Sequence, residues 1–207
     1  MTSEGVDKGR LVIRGENSQV HRSALLGDSV KIWSFVQVRE DVKIGDNTII
    51  GSYAYIGSGV QIGKNCKIQN RALLYEPADI GDGVFIGPGV VLTNDNYPRA
   101  INPDGSIKLA VDWELKGVKV SKGASIGAGA ICVAPLSIGE WALIGAGAVV
   151  TKDVPSFAMV IGNPGRIVGW VGHQGYPLIE VSKDLFECPK SKDKYKLLSG
   201  ELHRVVD

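Results

Sequence analysis

Three polar side chains with complementary chemistry lie within six residues of each other in the stretch LTNDNYPRAINPDG, residues 92–105. The amide of Asn94 can accept and donate hydrogen bonds, and the carboxylate of Asp95 can orient an amine or accept its proton. The guanidinium of Arg99 presents a planar fork that suits a diphosphate. Such a set predicts a place where a charged small molecule is held and a proton is moved.

The same stretch is where a six-residue repeat stops. Every sixth residue from Val20 to Leu92 is Leu, Ile or Val, and the pattern resumes at Val120 in a different phase. The residue four places after each of these is small or β-branched, and Gly often follows the aliphatic residue directly. Repeats of this regularity indicate a solenoid, so the chemistry-bearing residues must be positioned by stacked turns of the chain.

The period of six decides the type of secondary structure. An α-helix requires apolar residues about every 3.6 positions, whereas an even period fits short strands with alternating faces. Glycine supplies the backbone freedom of a tight corner, and one large and one small apolar residue fill a narrow interior. The sequence therefore predicts an all-β solenoid in which most Ile, Val and Gly residues are structural.

The composition excludes several classes of protein. The chain has 207 residues, with 23 Lys plus Arg against 22 Asp plus Glu, and no long run of like charge. We therefore expect neither nucleic acid nor a membrane as partner. The three cysteines are scattered and suit a reducing compartment, so we expect a cytoplasmic protein. Three distant histidines do not suggest a metal site.

The repeat resembles the hexapeptide repeat of the left-handed parallel β-helix acyltransferases, over roughly residues 20–170. The segments GAGAVVTKDVP (residues 145–155) and GNPGRIVGW (residues 162–170) resemble the closing coil and exit turn of that family. The resemblance implies three hexads per coil, acetyl-CoA as co-substrate, and a homotrimer with sites between subunits. It divides the chain into an N-terminal extension (1–19), the β-helix domain (20–170, with an excursion loop at 94–119) and a C-terminal extension (171–207). We expect the last part to be mixed, a short helix followed by a hairpin that caps the domain or contacts another subunit.

Three further segments resemble a narrower group, the nucleotide-linked 3-amino-sugar N-acetyltransferases. They are KIWSFVQVRED (residues 31–41), CKIQNRALLYE (residues 66–76) and IGPGVVLTNDNYPRA (residues 86–100). That group includes enzymes acting on dTDP-3-amino-3,6-dideoxyhexoses and on UDP-linked 2-acetamido-3-amino-glucuronate. The VRED (residues 38–41) and TNDNYPRA (residues 93–100) motifs favour a dTDP-linked sugar over a UDP-linked sugar.

The resemblance implies roles for residues on and below the loop. Asn94 matches the family's Asn beside the sugar amine, and with Asp95 it forms the predicted catalytic pair. On the coil beneath the loop, Gln69 and Tyr75 replace the corner glycine with large polar side chains, which indicates contact either with the nucleotide sugar or with another subunit. The full substrate-binding set is Arg39, Glu40, Gln69, Asn70, Arg71, Tyr75, Tyr97, Arg99 and Trp113.

Acetyl-CoA is expected along the late coils, held largely by backbone groups. The candidates there are Gly127, Ala128, Gly145 and Ala146, whose small side chains would let a pantetheine arm approach. Lys152 and Arg166 could meet its phosphates. Any single one of these residues could equally be an ordinary corner or core residue.

The histidines bear on the choice of acceptor. Transfer to a hydroxyl usually needs a general base, most often His, but His21, His173 and His203 all lie at the ends of the repeat or beyond it. A neutral amine can attack a thioester directly, so the sequence favours N-acetylation. The alternatives are an O-acetyltransferase that uses an acidic base and a non-catalytic β-helix scaffold.

Overall fold

The six-residue repeat folds into short parallel strands joined by tight corners, which wind into a solenoid of about eight turns. This computed structural model describes residues 3–7 and 10–205. One turn, here called a rung, contributes one strand to each of three sheets, named the first, second and third sheet in chain order. The expected parallel β-helix is confirmed.

The strands follow each other in a fixed order along the chain. Rungs one to four follow β1 (Ser3–Asp7) and consist of β2 (Arg10–Arg14), β3 (Gln19–Val20), β4 (Leu25–Leu26), β5 (Val30–Ile32), β6 (Gln37–Val38), β7 (Lys43–Ile44), β8 (Ile49–Ile50), β9 (Tyr55–Ile56), β10 (Gln61–Ile62), β11 (Lys67–Ile68), β12 (Leu73–Leu74) and β13 (Asp79–Ile80). Rungs five to seven consist of β14 (Phe85–Ile86), β15 (Val91–Leu92), β16 (Val118–Val120), β17 (Ser125–Ile126), β18 (Ile131–Cys132), β19 (Leu136–Ile138), β20 (Leu143–Ile144) and β21 (Val149–Val150). The first sheet then continues with β22 (Ala158–Ile161) and its antiparallel neighbour β23 (Arg166–Trp170).

Residues 18 apart lie above one another, because three hexads complete one rung. Lys31 pairs with Ile49 in the first sheet, and Leu25 pairs with Lys43 in the third. The pairing of β2 with β5 already follows this register, although β2 lies ahead of the predicted start of the repeat at residue 20. The division of the chain into residues 1–19, 20–170 and 171–207 stays a prediction.

The interior is filled by the two columns that the sequence shows. The aliphatic column is buried, as at Ile50, Ile68 and Ile86, each with no exposed surface. The small column, for example Ala54 and Ala72, is buried beside it. Strand residues alternate between interior and solvent, so the outward positions are free to carry polar groups.

The repeat is interrupted once, between β15 and β16. Leu92 pairs with Cys132 and Ile80 with Val120, so the register offset is 40 residues instead of 18 and the excursion adds 22 residues. Its only helical element among the described residues is a 3₁₀ turn, Ala110–Asp112. The predicted loop of residues 94–119 ends slightly early, because β16 begins at Val118 and pairs with β19.

The C-terminal extension contains strands where a short helix was expected. β24 (Ile179–Ser182), β25 (Leu185–Glu187), β26 (Lys194–Leu198) and β27 (Glu201–Arg204) form a four-stranded antiparallel sheet. In β26 the buried Tyr195 lies between exposed neighbours, which is the two-residue alternation of a strand. Ser199 and Gly200 both have positive φ, as a two-residue hairpin turn requires. The expectation of a helix was therefore wrong for the described residues.

Two further observations concern the described part of the chain as a whole. It contains no helix that is long and apolar enough to cross a membrane. The cysteines Cys66, Cys132 and Cys188 are all buried and unpaired with one another.

Candidate active site

The corners of the solenoid decide which predicted residues can meet. Corner 1 joins the first sheet to the second and contains residues 33–35, 51–53, 69–71, 87–89, 127–129 and 145–147. Corner 2 joins the second sheet to the third and contains residues 39–41, 57–59, 75–77, 133–135 and 151–153, with the excursion loop at 93–117 on rung five. One whole face, the second sheet, separates the two corners within a chain.

The loop leaves corner 2 from a fixed base. The backbone N–H of Thr93 donates to the Cys132 carbonyl at 3.0 Å, and the Thr93 hydroxyl accepts from the Ala134 N–H at 3.0 Å. At the other end the Lys116 N–H donates to the Asn94 carbonyl at 3.3 Å. Asn94 therefore lies where both ends of the loop are tied to the solenoid, and its backbone is held in place.

Beyond Asn94 the loop is organised by its own polar groups. Asp95 Oδ1 accepts a hydrogen bond from the Tyr97 N–H at 2.8 Å. Asp112 Oδ2 accepts from the Leu109 N–H at 2.7 Å and from Asn102 Nδ2 at 3.2 Å. The Leu109 N–H is the main reason that the pKa of Asp112 lies below its usual range. The loop thus has internal order although it carries no long strand or helix.

A cavity of about 280 Å³ lies between the loop and the next rung. Its lining includes the sequence-predicted Asp95, Tyr97 and Trp113, together with Asn96, Lys108, Glu114, Lys116 and Pro135. Lys116 Nζ forms an ion pair with Glu114 at 3.0 Å. The cavity combines an aromatic wall with two ammonium groups, which are suitable contacts for a ring and for phosphate oxygens.

Arg99 lies apart from that lining. Its guanidinium donates to the Pro98 carbonyl at 2.9 Å, and its side chain is exposed to solvent. The predicted contact between Arg99 and a diphosphate stays a prediction.

Tyr75 lies directly beneath the loop, with its N–H 3.3 Å from the Leu92 carbonyl. Its ring centroid is 5.4 Å from that of Tyr55 on the rung below. Burial raises the pKa of Tyr55, and the nearby charge of Glu76 raises it further. Tyr75, Tyr55 and Glu76 therefore form one group of polar side chains at the foot of the loop.

Arg39 and Glu40 share corner 2 with the loop but lie three rungs lower, about 14 Å away at about 4.8 Å per rung. Arg39 Nε donates to Glu40 Oε2 at 3.1 Å, and Ser58 Oγ donates to the same oxygen at 2.8 Å. The hydrogen bond from Arg39 is the main reason that the pKa of Glu40 falls to about 2. This pair lines a separate depression with His21, so the structure does not bring it to the loop.

Gln69, Asn70 and Arg71 lie on rung four, the coil directly below the loop, but on corner 1. A step of six residues moves the chain to the next corner, so one whole face separates them from Tyr75, and their contact with the nucleotide sugar stays a prediction. Two exposed aromatic rings occupy the rungs below Arg71 on that corner. The Arg71 Cζ lies 5.9 Å from the ring centroid of the nearer one, Tyr53. Tyr53 is stacked on Phe35 with centroids 4.9 Å apart.

The residues proposed for acetyl-CoA fall into two places. Gly127, Ala128, Gly145 and Ala146 lie on corner 1, above Arg71. A Cβ at Gly127 would come within 2.5 Å of the Ala146 nitrogen, so the close stacking of the rungs itself requires glycine there. Gly127 therefore has the structural role that the sequence left open for it. The lack of a side chain is also compatible with a ligand close to the Gly127 backbone.

Lys152 and Arg166 lie at the far end of the solenoid, beside each other. They line a cavity of about 310 Å³ whose other walls are Val150, Asp153, Val154, Val160, Gly165 and Ile167. Lys152 is on corner 2, one whole face away from the small residues of corner 1. Arg166 is on β23, where it pairs with Ile161, whose side chain lies over Gly145 at corner 1. Their meeting with the phosphates of acetyl-CoA stays a prediction.

Sequence reasoning missed Tyr55, Glu76, Lys108 and Lys116. Glu76 could have been found by counting back 18 residues from Asn94, since that interval leads to the same corner one rung lower. Lys108 and Lys116 had no signal, because the path of a loop without repeats cannot be read from spacing. Across the described residues, no three His, Cys, Asp or Glu side chains are arranged to hold a metal ion.

Comparison with curated proteins gives acetyltransferases of different acceptors among the relatives. A curated relative is the dTDP-3-amino-3,6-dideoxy-α-D-galactopyranose 3-N-acetyltransferase of Aneurinibacillus thermoaerophilus, 41% identical over 88 residues, which are 42% of this chain and 44% of the relative. A serine acetyltransferase of Buchnera aphidicola is 35% identical over 94 residues, which are 45% of this chain and 34% of that protein. The chain thus spans less than half the length of these curated relatives.

Two solved structures are also similar. PerB from Caulobacter crescentus, in complex with CoA and GDP-perosamine, is 24% identical with a TM-score of 0.46, over 76% of this chain and 57% of that one. The D94N mutant of AntD, an N-acyltransferase from Bacillus cereus in complex with dTDP and coenzyme A, is 20% identical with a TM-score of 0.49, over 79% and 83%.

Family models match the repeat on both sides of the loop. The bacterial transferase hexapeptide model (six repeats) matches residues 23–58 and 59–94. The model of the hexapeptide repeat of succinyl-transferase matches residues 117–152. The chain therefore carries hexapeptide repeats of the kind found in bacterial transferases on both sides of the loop.

Proposed function

We propose that this protein is an acetyl-CoA-dependent N-acetyltransferase that acts on the 3-amino group of a dTDP-linked amino sugar. The observation that carries the proposal is the base of the loop, where the backbone of Asn94 is held next to a cavity. The lining of that cavity combines the rings of Tyr97 and Trp113 with the charged groups of Asp95, Lys108, Glu114 and Lys116. The relative from Aneurinibacillus thermoaerophilus, which acts on such a sugar, supports this choice of substrate.

The chemistry requires few protein groups. A neutral amine attacks the thioester carbonyl, and catalysis then consists of holding the two reactants together and stabilising the oxyanion. The Asn94 amide can accept a hydrogen bond from the amine or donate one to a ring substituent. The Lys108 and Lys116 ammonium groups can bind diphosphate oxygens, and the ring of Tyr97 or Trp113 can stack on the base.

A homotrimer with sites between subunits accounts for the separation of the two corners. The loop is on corner 2, whereas the small residues proposed for acetyl-CoA are on corner 1, and a two-residue strand with its flanking turns lies between them. If corner 1 of one subunit faces corner 2 of the next, the two half-sites meet. Sedimentation equilibrium should then give a mass close to three times 22.0 kDa.

An O-acetyltransferase is the second candidate, and the similarity to a serine acetyltransferase favours it. It would need a base for a hydroxyl group. His21 bonds to Ser23 on rung one, and His173 lies among Trp141 and Phe157. Neither histidine is near the loop, so a carboxylate such as Asp95 would have to act as the base for a hydroxyl acceptor.

Turnover of acetyl-CoA, followed by the release of free thiol, tests the proposal directly. The acceptors are dTDP- and UDP-linked 3-amino and 4-amino sugars, with serine and the matching 3-hydroxy sugars as controls. We expect the dTDP-linked 3-amino sugar to have the highest kcat/KM. Turnover with hydroxyl acceptors alone would contradict N-acetylation, and no turnover with any acceptor would favour a scaffold.

A further inference from the structure

Large side chains occupy strained positions at some corners of the solenoid. Many corners contain one residue with positive φ, and it is usually Gly, Asn, Asp or Ser, which tolerate that conformation or are small. A bulky residue with positive φ strains the backbone and persists where the surrounding structure holds it in place. Five corner residues are of this bulky kind: Phe35, Tyr53, Arg71, Trp141 and Phe157.

Two of the five lie beneath the C-terminal extension. Phe157 is buried, and its ring centroid is 5.7 Å from that of Tyr195 in β26. The ring centroid of Trp141 is 4.8 Å from that of His173. At these two corners the strained residue therefore contributes to a contact with another segment, and that contact offsets the strain.

The other three follow one another along corner 1 and form a column, here called the aromatic ladder (Phe35, Tyr53 and Arg71). Phe35 is 45% exposed and Tyr53 is 53% exposed, so the described chain leaves about half of each ring uncovered. The ladder has the same backbone strain as Trp141 and Phe157, but no described segment lies over it. This difference indicates a contact that a single chain does not make.

The ladder presents the edges of its rings. The planes of Phe35 and Tyr53 are only 5° apart in the stack, and the guanidinium of Arg71 lies over the Tyr53 ring. Both faces of Tyr53 are therefore occupied, so a nucleotide base or a sugar ring finds no face there on which to stack. Ring edges suit packing against the side chains of a protein.

The excursion loop carries a second uncovered apolar surface, here called the loop tip (residues 101–111). It begins with a small hairpin in which Ile101 and Ile107 form an antiparallel bridge. Within this hairpin the Asn102 N–H donates to the Ser106 carbonyl at 2.8 Å. Four large apolar residues of the loop tip are more than half exposed, namely Ile101, Ile107, Leu109 and Val111.

The second sheet, which lies between these two surfaces, is apolar on its outer side. At about 200 Å² per aromatic side chain, two half-exposed rings offer about 200 Å², which is less than the roughly 800 Å² that each partner buries in a stable interface. The second sheet supplies more surface of the same character, whereas the outward residues of the third sheet are mostly charged or polar. The outward residues of the second sheet from rung three upwards are Tyr55, Leu73, Val91, Ile131 and Val149.

We propose that the loop tip of one subunit docks on the aromatic ladder of the next copy of this chain. The inference rests on the homotrimer of the proposed function and goes beyond it, because it names the surfaces that meet. The ladder and the loop tip lie at opposite edges of the second sheet, and each leaves the other exposed. A closed ring of identical contacts covers both surfaces in every subunit. It also fixes the loop that carries Asn94, so each candidate site depends on the neighbouring copy.

Cysteine cross-linking tests this contact directly. The double variant Ser52→Cys with Ile107→Cys places one thiol beside Tyr53 and one on the loop tip, and the three native thiols are buried. With a short bismaleimide we expect bands at two and three times 22.0 kDa on a denaturing gel. The matched control is Lys43→Cys with Ile107→Cys, because Lys43 faces outward on the third sheet. It should stay at the mass of one chain.

Asparagine variants test the ladder itself. Asn47 and Asn65 have positive φ, so Asn fits a corner of this chain without strain. Phe35→Asn and Tyr53→Asn should therefore fold and keep the circular dichroism of the wild type. We expect each variant to raise the dissociation constant of the oligomer about 100-fold, as for a central aromatic residue of an interface. Sedimentation measures this change, and Leu25→Asn, at a position 46% exposed on the third sheet, should keep the wild-type mass.

The outcomes separate this docking from the proposed function. A Ser52→Cys, Ile107→Cys double variant that stays at the mass of one chain overturns the docking, as do equal cross-links in the Lys43→Cys control. Cross-links in Ser52→Cys alone also overturn it, because the ladders would then face each other. A wild type that sediments as a monomer excludes a second copy as the partner. If the expected cross-links form but the wild type acetylates no amine, the docking stands and the proposed function fails.

Discussion

Thr48 is the one buried polar residue among the described side chains, and it provides a test of how the solenoid is held together. It occupies a position of the small apolar column, where its neighbours on adjacent rungs are Val30 and Cys66. Its hydroxyl donates to the Gly63 carbonyl at 2.9 Å and accepts from the Cys66 N–H at 3.0 Å. The substitution Thr48→Val keeps the shape and removes both hydrogen bonds.

The expected loss follows from these two bonds. Cys66 has no exposed surface, so its N–H would be left without a partner, at a cost of about 1–3 kcal/mol. Allowing for the better burial of a methyl group, we expect Thr48→Val to lose about 2 kcal/mol of unfolding free energy. For a chain of 150–250 residues this lowers Tm by about 4–8 °C. Thr48→Ser keeps the hydroxyl and loses one methyl group, so it should lose only about 1 kcal/mol.

Thermal unfolding followed by circular dichroism, at one fixed protein concentration, measures the difference. The hydrogen-bond argument predicts the order wild type, then Thr48→Ser, then Thr48→Val. An argument from apolar burial alone predicts that Thr48→Val is at least as stable as the wild type. A Thr48→Val protein that melts at or above the temperature of Thr48→Ser would refute our reasoning about the hydroxyl.

Three further predictions concern the site, the interior and the C-terminal sheet. Asn94→Ala should lower kcat/KM for the amino sugar about 100-fold, as expected for the loss of one positioning group, whereas Gln61→Ala, at a half-buried position of the third sheet, should not. Equal values for both variants would remove Asn94 from the site. Burial raises the pKa of the Cys132 thiol to about 12. Because the thiol ionises at lower pH in the unfolded chain, the unfolding free energy should fall as pH rises from about 9 to 12. Cys132→Ala should lose that part of the pH dependence. The pKa of His173 is lowered by burial and, to a smaller extent, by the charge of Arg204. The fold therefore favours neutral His173, so its contribution to the unfolding free energy is present above about pH 6.5 and is lost as pH falls. Near-ultraviolet circular dichroism of the neighbouring Trp141 should change below that pH, and His173→Asn should abolish the change.

The scaffold could be predicted from the sequence because a single physical constraint repeats. Each rung must fill the same narrow interior, so the aliphatic residues from Val20 to Leu92 recur without exception and are buried in the structure, apart from the partly exposed Val20. The end of the pattern at Leu92 marks the true last residue of β15. Asn94, two residues further on, was chosen from the family resemblance, and its role stays a prediction.

The C-terminal sheet and the lining of the loop could not be predicted, since nothing repeats there. Tyr195 is buried but lies outside the six-residue repeat. Its hydroxyl forms hydrogen bonds with the backbone N–H of His173 at 3.1 Å and with the His173 ring Nδ1 at 2.9 Å. Lys108 reaches the cavity by the path of a loop whose turns depend on side chains such as Asp112. Contacts of this kind depend on tertiary geometry, which spacing along the chain does not contain.

The separation of Gln69 and Arg71 from Tyr75 shows what a period of six leaves out. Six residues define a column of the interior, but they also rotate the chain from one corner to the next, so proximity along the surface follows a period of 18. Tyr75 and Asn94 differ by 19 and lie together, whereas Gln69 and Tyr75 differ by six and lie on different corners. Applied to the whole chain, the longer period places Glu40, Ser58, Glu76 and Asn94 in one line along corner 2. That line runs from a carboxylate already neutralised by Arg39, through the unpaired carboxylate of Glu76, to the amide at the base of the loop.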